Sequence, residues 1–582
     1  MHKYILLFIA IFALHISSSG QKKPSYIIDV EKYTTQNKSL TYAEVMHYYQ
    51  QLASADSRLK INNAGETDAG IPLSEIIIDA DRNFTPEAAR KSGKAVIFIN
   101  NGIHPGEPDG IDATLWFVQD LLSSTNETLL KKIVFVIIPV YNIDGALVRN
   151  NKLRFTQNGP AEYGFRGNGQ NLDLNRDFIK CDSRNAQSFT RLFTKWDPDV
   201  LIDNHVSDGA DYQHVMSLLP TQPDKLGYSQ GKYFRDKFIP TLFEDMKKAG
   251  FPMTPYVNVW GTTPDDGLPG FIDSPRYASG YSTLFQSFGF VPECHMLKPY
   301  GQRVKATREL MRVISNYVFK NKNELLQVRD RARKEIKETT SMPLTWQLNK
   351  TMHDSVTFMG YEHDYITSEL TGLQRLRYRR DEPYTRKIPF YNYADVQVSV
   401  NTPQYYILPQ GWYRVIERLQ WNGVQMQRFT QDTTINGETY VIDKVESPSR
   451  PYEGHFFHYG VEARAIAKKF NIRKGDYIIP LDQRAKRFIV EVLEPQATDS
   501  YFTWNYFDAI LNRKEGFSDY VFEDMMPDYL AAHPEMKDAL ADYLKTHPEM
   551  KTNAFEQLNY IYTISEFSEP WANQYPVIRV MK

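Results

Sequence analysis

Between residues 94 and 300 the chain passes through short apolar segments that each end in a cluster of polar residues, with amphipathic stretches between them. The apolar runs at 95–99, 133–138 and 200–202 read as buried strands, and the stretches at 110–122, 185–196 and 230–248 have helical spacing with few breakers. This alternation predicts an α/β domain: a mixed sheet with helices on both faces. In open sheets of this kind ligands sit beyond the carboxyl ends of the strands. Chemistry is therefore expected in the polar clusters at 100–107, 142–145 and 203–208. A charged amphipathic stretch at 302–338 closes this half and is expected to pack on the outer face of the sheet.

Beyond residue 340 the texture changes. To about residue 494 the chain is rich in Tyr, Val, Ile, Thr and Arg with frequent turn residues, and strands are expected at 394–400, 405–408, 440–445 and 488–493. Helices return over 520–553, where the segment starting His533-Pro534 recurs at His547-Pro548. One recurrence is too little for a repeat architecture and fits two helix starts with Pro in the first turn. With 582 residues the chain is too long for one ordinary core. The expected division is a signal peptide at 1–20, an α/β domain at 21–340, a β-rich accessory domain at 341–495 and a mixed, helical segment at 496–582.

The first twenty residues have the layout of a secretory signal: His2 and Lys3, an apolar run over 4–16, then Ser17, Ser18, Ser19 and Gly20. The run is short for a spanning helix, which disfavours the alternative of an uncleaved anchor, and no later segment has about 18 uninterrupted apolar residues. The mature chain is expected to be exported, periplasmic or extracellular, without a membrane span. Sixty-eight basic residues against seventy acidic ones, without long runs of either sign, argue against a nucleic-acid partner. Cys181 and Cys294 are the only cysteines, so a disulfide-dense scaffold and a thiolate-rich metal site are excluded, while one bridge stays open. Any metal must rest on His and carboxylate.

His104 and Glu107 follow the first strong strand and precede a helix. A His and a carboxylate three residues apart on a tight turn can chelate one cation. Alone, this spacing arises often by chance, and the bland reading is an exposed His beside a helix-capping Glu. His205 follows the strand at 200–202. As a third ligand it completes a His/Glu/His set, with the fourth tetrahedral position left for water.

Residues 94–300 resemble the zinc carboxypeptidases of the carboxypeptidase A type. The family's H-x-x-E is matched by His104 and Glu107, its Asn-Arg pair by Asn175 and Arg176, its distant His by His205 and its late Glu by Glu293. The resemblance implies one Zn2+ per chain on His104, Glu107 and His205, with Glu293 as general base. Asn175 and Arg176 would grip the free C-terminal carboxylate of a peptide substrate, a task suited to a planar guanidinium. Asp173 would orient a ligand histidine. For the carbonyl-polarising arginine Arg154 is the first choice and Arg166 the second. For the mobile tyrosine it is Tyr277, with Tyr281 as rival. Glu293 follows an apolar stretch at 288–291, where desolvation favours a raised pKa.

The implied activity is that of a secreted zinc metallocarboxypeptidase, a hydrolase acting in proteolysis on the C-terminal peptide bond. The alternatives are an amidase or endopeptidase of cell-wall peptides using the same zinc site, and a non-catalytic binding protein. The C-terminal part resembles segments that accompany large bacterial members of the family, for instance at 408–412 and 488–495. Covering a sheet face is its expected role, and Trp412, Trp421 and Trp504 are expected in packing rather than sugar stacking. Cys294 reads as a packed small residue. His214, His353, His363, His455 and His458 read as surface or core histidines.

Overall fold

The computed structural model describes residues 28–123 and 126–581. The segment read as an export signal lies outside them. Strand β3 (Ala95–Asn100) shows how the sheet is built. Its side chains alternate across the pleat, with Val96 and Phe98 facing one apolar cluster and Ala95, Ile97 and Ile99 facing another. Both faces are covered, which is why the run carries no polar alternation.

The other strands in chain order are β1 (Leu59–Gly65), β2 (Leu73–Ile78), β4 (Ile133–Ile138), β5 (Val200–Asp203), β6 (His205–Ser207), β7 (Met216–Pro220), β8 (Thr254–Pro255), β9 (Leu268–Pro269) and β10 (Phe288–His295). The sheet order is β1-β2-β4-β3-β5-β10-β7-β8, with β6 continuing beside β10. Its centre, β4-β3-β5-β10, is parallel, and antiparallel pairs flank it. All the central strands therefore end on the same edge, where the polar clusters begin.

On one face the sheet packs against helices Tyr42–Ala55, Asp109–Leu121, Ile239–Lys248 and the 39-residue helix Tyr300–Glu338. The stretch expected to be helical at 230–248 is a run Tyr228–Tyr233, Phe234–Phe238 and Ile239–Lys248, whose middle turn is a π-turn. Arg303 of the long helix is buried and donates to Asp109 and to the carbonyls of Asn158, Met296, Lys298 and Gly159, so it ties that helix to the loops at the sheet edge.

On the other face helix Arg184–Trp196 presents Phe189, Leu192, Phe193 and Trp196 to the sheet. The same apolar cluster continues into Tyr406, Leu419, Phe488, Ile489 and Trp504. The C-terminal half thus shares a core with the α/β half. It contains a pair β11–β14 (Ser341–Leu348, Ala394–Asn401), a hairpin β12–β13 (Asp354–Thr367, Gln374–Tyr391) joined by β9, and a six-stranded sheet. That sheet comprises β15 (Tyr405–Leu408), β16 (Gln427–Arg428), β17 (Thr433–Glu446), β18 (Tyr459–Ile472), β19 (Tyr477–Pro480) and β20 (Ile578–Val580).

One expected strand is corrected. Residues 488–493 lie in a helix, Lys486–Leu493, whose residues are all buried. A short apolar run buried all round does not reveal its period, and here the Arg487–Glu491 ion pair at 2.7 Å, one helical turn apart, favours the helix. Phe488 stacks on Phe285 from the α/β half, with ring centroids 5.6 Å apart. Both cysteines are free and buried. Helices Asp519–Ala532, Pro534–Thr546 and Ala554–Ile564 occupy the expected C-terminal stretch, and Pro534 begins its helix as expected.

Because the two halves share one apolar cluster, Phe488→Ala is expected to destabilise the whole chain by about 3–5 kcal/mol in denaturant unfolding. The near-ultraviolet and far-ultraviolet signals should then shift together, and a shift confined to a separate transition would contradict the shared core.

Candidate active site

At the carboxyl edge of the parallel strands, His104 and Glu107 sit in the turn after β3 and His205 opens β6. Helix Asp109–Leu121 comes close enough to bring these together because Gly110 lies against Asn204. A Cβ at Gly110 would stand 2.4 Å from the Asn204 Cβ. The three side chains are nearly fully buried, and one ligand atom from each lies within 4.8 Å of the others.

Both imidazoles present Nδ1 to the Glu107 carboxylate, His104 at 3.3 Å from Oε1 and His205 at 3.4 Å from Oε2. Their Nε2 atoms are held from outside. His104 Nε2 lies 2.8 Å from Asp173 Oδ1, and His205 Nε2 lies 2.9 Å from Asp203 Oδ2. Asp203 is fully buried and also accepts from Asn100 Nδ2. With a carboxylate on each Nε2, the Nδ1 lone pairs are the ones left for the interior. The Nδ1 of His104 is buried and has no hydrogen-bond partner among the described residues.

The electrostatics agree. Burial opposes the charge on Glu107, yet Arg154 and His104 hold its carboxyl well below the usual range. Burial likewise opposes the charge on His205, but Asp203 and Glu107 keep its imidazole protonated well above the usual value. Two imidazoles and a carboxylate are donors that zinc takes, and the site fits it.

Glu293 lies on β10, directly opposite His205 in the parallel register between β10 and β6. Burial pushes its carboxyl up to about 8, with His205 opposing and Glu107 and Asp208 adding to the rise. It lines a cleft of about 310 Å³ together with His104, Glu107, His205, Arg166, Asn175, Arg176 and Tyr277. A larger depression of about 710 Å³ around Thr339, Gln404 and Lys486 contains no His or Cys in its lining, so volume alone does not mark the site.

The paired alternatives separate by position. Arg166 lines the cleft and binds Asp173 Oδ2 through Nε at 2.9 Å. Arg154 does not line it. Its Nη1 lies 3.0 Å from Glu107 Oε1 and its Nε is bound to Gln157, so it supports the ligand carboxylate from outside the cleft. Tyr277 borders the cleft with the Arg176 guanidinium 4.7 Å from its ring centre. Tyr281 is fully buried among Phe178, Phe189 and Phe193, with its hydroxyl donating to Asn422.

Sequence reasoning placed the cluster at 203–208 and the irregular stretch at 256–284 near the pocket but gave no individual role to Asp203, Tyr256, Trp260 or Phe271. Asp203 stands two residues before His205, a spacing that could have exposed it as that ring's carboxylate. Tyr256, Trp260 and Phe271 complete one wall, from the irregular stretch before helix Ala278–Thr283, and carry no local signal. Among the other described histidines, His214 bonds to the Pro252 carbonyl and the Met359 amide, and His455 to Asp182.

Residues 45–199 match the family model described as zinc carboxypeptidase. The match includes His104, Glu107, Asn175 and Arg176 and ends before His205 and Glu293. Carboxypeptidase 2 of Trichophyton rubrum is 20% identical over 482 residues, covering 78% of this chain and 81% of that protein. Carboxypeptidase B of Helicoverpa zea is 33% identical over 123 residues, 20% of this chain and 26% of that one. Among solved structures, a metallo-carboxypeptidase from Burkholderia cenocepacia aligns over 49% of this chain and 70% of its own at 17% identity, with a TM-score of 0.36.

Asp203→Ala removes the carboxylate that fixes the His205 ring, and zinc affinity is expected to fall about 10–100-fold. Competition with a chelator of known affinity measures this, and unchanged retention would mean that Asp203 does not orient the ligand.

Proposed function

We propose, on the premise that the chain belongs to the zinc carboxypeptidase family and is a zinc metallopeptidase, that it removes the C-terminal residue of peptides with Glu293 as the general base. The observation that carries this reading is the meeting of His104, Glu107 and His205 around one point, with Glu293, Arg166, Asn175 and Arg176 lining the same cleft.

His104, Glu107 and His205 would hold the ion. When bound there, zinc supplies Lewis acidity and brings the ionisation of a water toward neutral pH. Asp173 and Asp203 keep the imidazole lone pairs turned inward. Arg176 receives the terminal carboxylate of the substrate through its planar donors, with Asn175 beside it. This sets the last peptide bond between Glu293 and Arg166.

Arg166, rather than Arg154, is the arginine we assign to the carbonyl oxygen, where developing negative charge needs a fixed donor. Glu293 accepts a proton from the attacking water at its carboxylate and passes it to the departing amine. Tyr277 covers the carboxylate end of the cleft beside Arg176.

The reading extends to the whole chain. We take residues 21–340 as the catalytic domain, 341–495 as the accessory domain and 496–582 as the C-terminal segment. The leader at 1–20 supports export to the periplasm or the exterior. Among the described residues no helix is long and apolar enough to cross a membrane.

Glu293→Gln is expected to retain zinc and lower kcat by about 10²–10⁴-fold. Metal analysis alongside peptide hydrolysis checks it, and near-normal turnover would remove Glu293 from the mechanism. Stripping the protein with a chelator should abolish hydrolysis, and adding back zinc should restore it, since the ligand set is the only cluster of its kind among the described residues.

A further inference from the structure

The turn between β17 and β18 crosses from the C-terminal half to the cleft. Tyr452 and His455 exchange backbone hydrogen bonds, N–H to carbonyl, at 2.7 and 3.0 Å. The two residues between them, Glu453 and Gly454, have φ of 51° and 81°. Gly is at home in the left-handed region, whereas Glu is uncommon there and Asn or Asp is the usual choice. The side chain explains its presence: Glu453 Oε2 accepts from the Asp173 amide at 2.8 Å. Asp173 in turn holds His104 and Arg166.

Next to it, the Tyr452 hydroxyl accepts a hydrogen bond from Arg176 Nε at 2.9 Å. Arg176 Nη1 donates to the Asn175 carbonyl and lies 3.7 Å from Asp173 Oδ2, and Nη2 makes no hydrogen bond among the described residues. Nε and Nη1 are thus engaged by protein, and these contacts favour one orientation of the fork before any substrate arrives. The turn is itself anchored: His455 Nε2 lies 2.8 Å from Asp182 Oδ2, and the Tyr452 ring stacks on Trp504 at 6.2 Å with 21° between planes. Arg276, paired with Asp499, sits against the Tyr452, Phe457 and Trp504 rings.

We propose that Tyr452 is a positioning residue for the Arg176 guanidinium, so that the C-terminal half of the chain completes the grip on the substrate's carboxylate. This rests on the reading of Arg176 as the carboxylate-binding group. A guanidinium held from its Nε side offers its remaining donors in one orientation, and the cost of ordering a long side chain on binding is avoided.

The test uses the zinc-loaded full chain and the best-cleaved member of a set of N-acylated dipeptides, as free acid and as C-terminal amide. Tyr452→Phe keeps the ring on Trp504 and removes one oxygen. KM for the free acid should rise roughly tenfold, about 1.4 kcal/mol, with kcat changed less than about twofold and with zinc content and melting temperature unchanged. In an Arg176→Ala background the same substitution should change kcat/KM less than about twofold, because nothing remains to be positioned.

An unchanged KM in Tyr452→Phe, or an equal loss with and without Arg176, would overturn the inference while the carboxypeptidase reading stands. Equal cleavage of acid and amide by the unmodified chain would overturn both.

Discussion

Burying the Glu107 carboxylate between two imidazoles is the arrangement on which the rest of this site depends. An ionised carboxylate out of water is costly unless it is paired and hydrogen-bonded. Glu107 has both imidazole Nδ1 atoms and the Arg154 guanidinium within ion-pair distance, and its Oε2 accepts from the Val206 amide. Each imidazole is backed by a second carboxylate. With the carboxylates on Nε2, both Nδ1 atoms face the centre beside Glu107, and that donor set suits a divalent cation.

The sheet is what brings the set together. Parallel neighbours end on one edge, so residues after β3 and β5 and near the end of β10 become neighbours although far apart along the chain. The register of β6 on β10 sets His205 opposite Glu293. Close packing of Gly110 on Asn204 and the anchoring of Asp109 by Arg303 then fix the helix that follows Glu107. The turn carrying His104 and Glu107 is held at its strand end and at its helix end, and these two side chains have little freedom to move apart.

The C-terminal half does more than cover a sheet face. It shares the apolar cluster on that face, and the turn carrying Tyr452 and Glu453 reaches the loop that carries Asp173, Asn175 and Arg176. That loop is short of regular structure, with a single 3-10 turn at Leu174–Arg176. External hydrogen bonds therefore have a larger part in holding it than they would on a strand.

The sequence by itself determined the alternation of strands and helices in the first half, the turn with His104 and Glu107, and the order of His205 and Glu293 after it. Those features depend on side-chain periodicity and on neighbours a few positions away, which a linear reading contains. The carboxylate behind His205, and the places of Arg154 and Arg166 and of Tyr277 and Tyr281 relative to the cleft, are visible only in the tertiary structure. So are the helix Lys486–Leu493, where a strand was expected, and the reach of Tyr452 to Arg176. In each case the deciding contact depends on where packing directs a side chain, most often onto a partner distant in the chain. Local propensity does not encode the direction in which an arginine or tyrosine leaves its backbone when packing from another part of the fold blocks one side.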